Sequence, residues 1–362
     1  MMLTAVVMVG AYDGPSEAIS WVQNACRMAA CDLIDQLSVS PLIDRLILVT
    51  PTIRGLEING QIEHIASEPG KVHVGRWLSK LTKRFDLDKI VYFGGGSAPL
   101  MPAESLDDLL NQIMDAESGI FTNNRYGSDW AAITPAAIVI EYQARLPLDN
   151  MLGWVLSTEA ELPIVVQSPS AASRLDIDTP HDLLTLRLHP NTKTKLKKYL
   201  AGLPLDDATL SEVLTVLSQK ASHVFLAGRL SPEAWQALNT VTQCWLRVLS
   251  EERGMVSSGR LARGEVFSFL ADYIERVGLN GFINMLVDQT QAAIIDNRVM
   301  LAHNGQWPSK SDRFASDLGL DDQIGDPWLR DLTIAAFEAP IPILMGGHGL
   351  VSGNLFAFCD ML

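Results

Sequence analysis

Four stretches of this sequence combine polar residues with the spacing that phosphate chemistry needs. Residues 93–104 read FGGGSAPLMPAE and follow the apolar run Lys89–Tyr92, which is a strand, a glycine turn and a helix start. Enzymes that handle nucleoside triphosphates place in such a turn an aspartate that holds a divalent metal, and here that position is Ser97. The second stretch is Arg174-Leu175-Asp176-Ile177-Asp178-Thr179-Pro180-His181-Asp182-Leu183. Thr179 suits a helix cap, Pro180 the first helical position and Asp182 a capping box. That leaves Asp176 and Asp178 without a structural task, at a strand end where a metal would sit. The third stretch, Val9–Ser16, offers Gly10 and Gly14 for a phosphate or base loop, although no Arg or Lys occurs before Arg27. Two glycines after a strand are equally the ordinary way into a helix. The fourth, Phe121–Trp130, carries Asn123, Arg125 and Asp129. These suit recognition of a polar ligand, with Asp129 able to replace a lost metal ligand; an ordinary surface turn is the plain alternative.

The first two motifs, in this order and about 80 residues apart, resemble those of the nucleotidyltransferases related to molybdenum-cofactor guanylyltransferase and phospholactate guanylyltransferase. In that family G-D-x-P-L-x-x-P-E is followed by D-[IVL]-D-T-P-E-D-L; here the segments are Gly96–Glu104 and Asp176–Leu183. The resemblance spans roughly residues 3–190. It implies an α/β fold, a glycosyltransferase-A-like Rossmann variant with a mostly parallel sheet, and Mg²⁺ as the metal. It further implies transfer of a nucleotidyl group from CTP or GTP to a small phosphorylated acceptor. Asp178 would be the main metal ligand and a catalytic residue, with Asp176 or Asp129 assisting. Gly10, Gly14, Gly96, Ser97, Asn123 and Arg125 would line the nucleotide. Two departures stand against this. Ser97 replaces the family's aspartate, and the first loop lacks the arginine and lysine of L-A-G-G-x-G-x-R. The alternative is a non-catalytic protein that binds a nucleotide or sugar nucleotide and acts through its C-terminal half.

That half has its own polar cluster: Asp296-Asn297-Arg298, His303, Asp312-Arg313, Asp317 and Gly346-Gly347-His348-Gly349. A strand running into Gly-Gly-His-Gly can offer N–H groups to an anion. His303, His348, Asp312 and Asp317 are also candidate metal ligands, without the local spacing of a known metal motif. Tight turns and capped helices account for the same residues.

Positioning these residues requires alternating strands and helices. Ala5–Val9, Arg45–Val49, Ile90–Phe93, Ala137–Ile140 and Ile164–Val166 read as strands, the first of them central. Leu106, Leu109, Leu110, Ile113 and Met114 fall on one helix face. Near residue 190 the composition shifts, and Asn191–Lys198 carries four lysines, read as a linker or an exposed first helical turn. We therefore expect domains at 1–190 and 191–362, the second mainly helical. Its helices are read at Asp206–Gln219, Ser231–Glu252, Gly264–Val277, Asn280–Thr290 and Pro327–Glu338. Ala292–Ile295 and Ile341–Met345 suit short strands.

The 362 residues exceed one usual core, and 28 basic against 42 acidic residues give a net charge of −14. Such a surface repels phosphate backbones, so the expected partner is a small nucleotide or sugar nucleotide and not nucleic acid. Four cysteines without a C-x-x-C pair suit a reduced, cytoplasmic setting. No basic-then-apolar leader opens the sequence, and the uncharged stretch Ala339–Cys359 is too rich in Gly and Pro for a membrane helix, so no membrane partner is expected. Homo-oligomerisation stays open.

Overall fold

The computed structural model describes residues 2–10, 14–68, 70, 72–256, 258–305 and 307–362. The chain divides into two compact units: Met1–Asp13, Gln23–Ile177 and Asn191–Ala201 in the first, Gly14–Val22, Asp178–Pro190 and Gly202–Leu362 in the second.

The first unit is built on seven strands: β1 (Leu3–Met8), β2 (Arg45–Thr50), β3 (Glu63–Ala66), β4 (Lys89–Gly94), β5 (Gly119–Thr122), β6 (Trp130–Thr134) and β7 (Ile164–Val166). Their order across the sheet is β3-β2-β1-β4-β6-β5-β7. Only β6 runs antiparallel to its neighbours. This is the mostly parallel Rossmann variant that was expected. β1 is central, and every one of its residues is buried. Alternation along β1 separates two cores. Leu3, Ala5 and Val7 pack with Leu33, Leu109 and Leu110, while Val6 and Met8 pack with Leu78, Leu81 and Leu152 on the other face. The helix Ala103–Asp115 buries Leu106, Leu109, Leu110 and Ile113, as its spacing predicts.

Ala137–Ile140, expected as a strand, instead leads into a short helix at Ile138–Tyr142, and the strand before it is β6. Pro135 ends the ladder because it has no N–H to donate. The chain then turns, with Ile138 and Val139 donating back to Pro135 and Ala136. The lysine-rich segment is a helix, Thr194–Ala201, on the first unit. Asp32 accepts the N–H groups of Lys195 and Leu196 at that helix's start, and Lys195 also reaches Asp35 at 2.5 Å. Lys193 bonds Gln36. These lysines are spent on packing.

The second unit is mainly helical in content, and its helices surround a sheet. β8 (His223–Gly228), β9 (Trp245–Ser250), β10 (Ala292–Asp296) and β11 (Ile343–Gly346) are all parallel, in the order β11-β10-β8-β9. β10 and β11 are the two apolar runs read as strands. Ser231–Glu252 is corrected: the helix stops at Val241, and Trp245–Ser250 is an edge strand. Thr242 is extended at ψ 162°, which ends the helix after a β-branched run. Gly264–Val277 and Asn280–Thr290 correspond to two helical segments of Phe269–Gln289 that meet at a kink at Gly278, where φ is 75°, and the first begins at Phe269 rather than Gly264. Among the described residues no helix is long and apolar enough to cross a membrane.

Candidate functional site

In the first sheet the strand order reverses between β1 and β4. Open α/β sheets bind ligands outside the carboxyl ends of their strands at such a point. The Gly94–Ser97 turn leaves β4 there. Ser97 donates its amide to Gly94 O at 3.2 Å and its hydroxyl to the same oxygen at 2.8 Å. Ser97 is only 3% exposed, so its side chain is folded into its own turn. Asp176 pairs with Ser97 in an antiparallel bridge, and Ile177 N–H donates to Gly96 O at 3.1 Å. A Cβ on Gly96 would stand 2.9 Å from Cys26 Sγ and 3.0 Å from Ile177 O. The glycines of this turn thus admit close packing, which is the plain reading of such residues.

Asp129 enters from the loop between β5 and β6. Its carbonyl accepts the Gly94 N–H at 3.2 Å. Asn123, buried, closes a ring with it: Asn123 Nδ2 donates to Asp129 Oδ2 at 2.6 Å, and the Asp129 amide donates to Asn123 Oδ1 at 3.0 Å. Ser128 braces the loop through Asn124 O and the Gly153 N–H. Arg125 lies 5.5 Å from the centre of the Trp154 ring and 5.9 Å from that of Tyr126, and it bonds Thr158 Oγ1. Tyr126 and Trp154 are exposed and 5.7 Å apart between ring centres. A cation beside two exposed rings suits a base or a phosphate.

Sequence reasoning missed Asp149, whose carboxylate accepts the Tyr92 hydroxyl at 2.9 Å. Burial holds the Tyr92 phenol well above its usual range, reinforced by Asp149 and then by Asp176 and Asp129. Asp149 thus holds the phenol directly, while Asp176 and Asp129 act on it only through their charge. Nothing local in Leu148-Asp149-Asn150 signals it, because the partner is 57 residues away.

The remaining candidates are dispersed. Gly10 ends β1 in open space, with nothing within 4 Å of an added Cβ. Gly14 belongs to the second unit, where a Cβ added to it would collide with the Ile19 side chain. Ala11, Tyr12 and Asp13, the rest of that loop, lie outside the described residues. Asp178 also opens the second unit, and its amide donates to Asp182 Oδ2 at 2.9 Å. Thr179 and Asp182 form the capping box read from the sequence, with Pro180 at the helix start.

No group of three or more His, Cys, Asp or Glu is arranged to hold a metal among the described residues. Mg²⁺ is commonly bound by one or two carboxylates together with substrate phosphates and water, so a protein cage is not required. The donor set at the turn, Asp129 and Asp176, has the hard charged oxygens that such a shared site uses. In the second unit His303 accepts from Ser268 N–H, the Asp312 amide donates to Ser309 Oγ while its carboxylate accepts the Gly325 N–H, and Asp317 pairs with Arg298. His303, His348, Asp312 and Asp317 are not brought together as a metal cluster among the described residues, and His303, Asp312 and Asp317 each serve a local bond or pair.

No protein-family model matches the sequence, and no curated protein matches it. Part of the chain is similar to solved structures. One is a protein of Desulfovibrio desulfuricans G20 assigned as a nucleotide-diphospho-sugar transferase, at 17% identity and TM-score 0.41, covering 56% of this chain and 95% of that one. Another is a cytidylyltransferase of Leptospira borgpetersenii, at 12% identity and TM-score 0.37, covering 57% and 99%. A third is the 2-C-methyl-D-erythritol 4-phosphate cytidylyltransferase of Francisella tularensis, at 14% and 0.35, covering 50% and 96%.

Proposed function

We propose that the first unit binds a nucleoside triphosphate at the β1/β4 edge and transfers its nucleotidyl group to a small phosphorylated acceptor. The observation that carries this reading is the convergence of Asp129 and Asp176 on the Gly94–Ser97 turn at the switch point. The names of the similar structures and the guanylyltransferase-like motifs point the same way, and CTP and GTP are the nucleotides to test. In the reaction an acceptor oxygen attacks the α-phosphorus, the bond to the β-phosphate oxygen breaks, and pyrophosphate leaves. Positioning and charge stabilisation supply most of such a rate. Asn123 holds the Asp129 carboxylate in place, and Arg125 with Tyr126 and Trp154 orients the base or the phosphates. Mg²⁺ bound with the nucleotide would neutralise phosphate charge, and Asp129 and Asp176 are the residues that would hold it.

One observation favours the second reading, a nucleotide- or sugar-nucleotide-binding protein without turnover. Ser97, at the position of the family's aspartate, turns its hydroxyl into Gly94 O. A thermal-shift screen of nucleotides with and without Mg²⁺, followed by pyrophosphate-release assays on binders, separates the two. Stabilisation that needs both nucleotide and Mg²⁺, with release abolished in Asp129→Asn and Asp176→Asn, supports transfer. Asp178→Asn is measured alongside to place that residue in or out of the site. Binding without release supports the second reading, and no binding by any nucleotide overturns both.

A further inference from the structure

The second unit has a sheet edge of its own that the proposed transfer does not use. Counting its strands from β8, their order is 2-1-3-4, since the sheet runs β9-β8-β10-β11. The chain leaves β8 for β9 on one side, then crosses to β10 on the other. The reversal lies between β8 and β10, and doubly wound sheets of this order bind ligands at that crevice.

Arg229 follows β8 directly, and Asp296 ends β10. Arg229 Nε and Nη2 grip the Asp296 carboxylate at 2.6 and 3.0 Å. Gly228, with φ at +117°, permits this approach, since a Cβ there would stand 2.4 Å from Asp296 Cβ. The Asn297 amide donates to Gly346 O at 3.1 Å, holding the ends of β10 and β11 level. The turn His348–Val351 then packs against β8 and β10. His348 is exposed and shares its electrostatic surroundings with Arg229, Asp178, Asp296 and Arg253.

The donors at this edge exceed the acceptors. Asp296 is fully engaged, by Arg229 and by the Arg298 amide at 3.1 Å. Arg229 has its Nη1 edge left over. Arg253 is exposed and makes no hydrogen bond or ion pair among the described residues. Asn297 is 0% exposed, yet its Nδ2 has no partner. A buried amide nitrogen without an acceptor costs free energy that an arriving oxygen recovers. The His348 ring likewise makes no hydrogen bond among the described residues, its carbonyl alone accepting the Ser352 hydroxyl. Asp178, exposed, offers a carboxylate acceptor for a ligand hydroxyl.

We propose that the β8/β10 crevice of the second unit binds the phosphoryl group of a small phosphorylated ligand through Arg229, Arg253, Asn297 and His348. Several donors from separate strand ends suit a tetrahedral group with three terminal oxygens, whereas the two oxygens of a carboxylate leave donors unpaired. The inference rests on the second unit alone and is independent of the nucleotide reading.

The test is calorimetric and thermal-shift titration of the full chain with inorganic phosphate and pyrophosphate, against sodium chloride at matched ionic strength and against acetate. Saturable stabilisation by phosphate is expected, weakened about tenfold or more in Arg253→Gln, the loss typical of a charge-assisted hydrogen bond, and about threefold or more in His348→Asn, the loss of a neutral one. Both positions are exposed, so their variants are expected to keep the wild-type circular dichroism and melting temperature without ligand. Chloride or acetate acting as well as phosphate overturns the proposal. So does equal phosphate binding by wild type and both variants. Loss in Arg125→Ala but not in Arg253→Gln would place the phosphate in the first unit and overturn it too.

Discussion

Ser97 shows how burial changes the meaning of a substitution. An aspartate at this position is the change that the resemblance to guanylyltransferase motifs invites. At 3% exposure, however, the new carboxylate would lose the Gly94 O bond, which a hydroxyl makes and a carboxylate cannot, and would sit beside Asp176. Ser97→Asp is expected to lower stability by about 1–3 kcal/mol in urea denaturation, without tightening Mg²⁺-dependent nucleotide binding. A stable, tighter-binding variant would show that the turn opens to accept a metal ligand. His181 and Asp182 supply a second residue-scale expectation. Burial, with Arg298 nearby, lowers His181 to about 3. Burial raises Asp182 to about 7, despite four donors to its carboxylate from Asp178, Thr179 and Asn354. His181 binds fewer protons folded than unfolded, so its contribution rises with pH from about 3 to its ordinary 6.5. Asp182 binds more protons folded, so its contribution falls as pH rises from 3.8 to about 7. The two slopes oppose each other across most of that range. His181→Gln is expected to expose the falling slope and Asp182→Asn the rising one, each on the order of a few kcal/mol in urea denaturation across pH. Superimposable profiles of all three proteins would refute this.

At the scale of elements, Lys89 fixes the end of the helix Ala103–Asp115. It is 0% exposed, and its Nζ donates to the carbonyls of Ile113, Met114 and Ala116 at 2.7, 2.6 and 2.8 Å. The last carbonyls of a helix have no partner within it, and a cation there also meets the negative end of the helix dipole. Lys89→Met keeps the aliphatic stem and removes all three bonds. It is expected to cost about 2–4 kcal/mol and to lower the melting temperature, with Lys89→Arg less damaging. A melting temperature unchanged in Lys89→Met would show that water replaces the ammonium. The spacing of Leu106, Leu109, Leu110 and Ile113 revealed this helix, but nothing in the sequence showed that the first lysine of β4 closes it. Edge strands were similarly hidden. Trp245–Ser250 alternates weakly in burial and directly follows a helical pattern, so its strand character comes from pairing with β8.

At the scale of the whole chain, both sheets reverse their order at a point where polar side chains gather, Asp129 and Asp176 in one, Arg229 and Asp296 in the other. Two chemically distinct ligands are therefore expected to leave separate footprints. In amide hydrogen exchange, CTP or GTP with Mg²⁺ should slow residues 94–97 and 123–129, and phosphate alone should slow 229–231 and 346–349. A single footprint shared by both ligands would contradict the assignment of two sites.

The sequence alone determined the buried central strand β1, the helix face after β4, the capping box at Thr179 and Asp182, and the carboxylate-bearing stretch at Asp176. Each of these is set by residues a few positions apart, through periodicity or a local hydrogen bond. Tertiary structure alone decided that Ser97 turns inward, that Asp149 meets Tyr92, and that Arg229 grips Asp296. Those contacts join residues 57 and 67 positions apart in the last two cases, and in the first they depend on how tightly neighbouring strands close over a turn. Local pattern carries no information about which distant strand ends the sheet order brings side by side, and that adjacency is what creates both candidate sites.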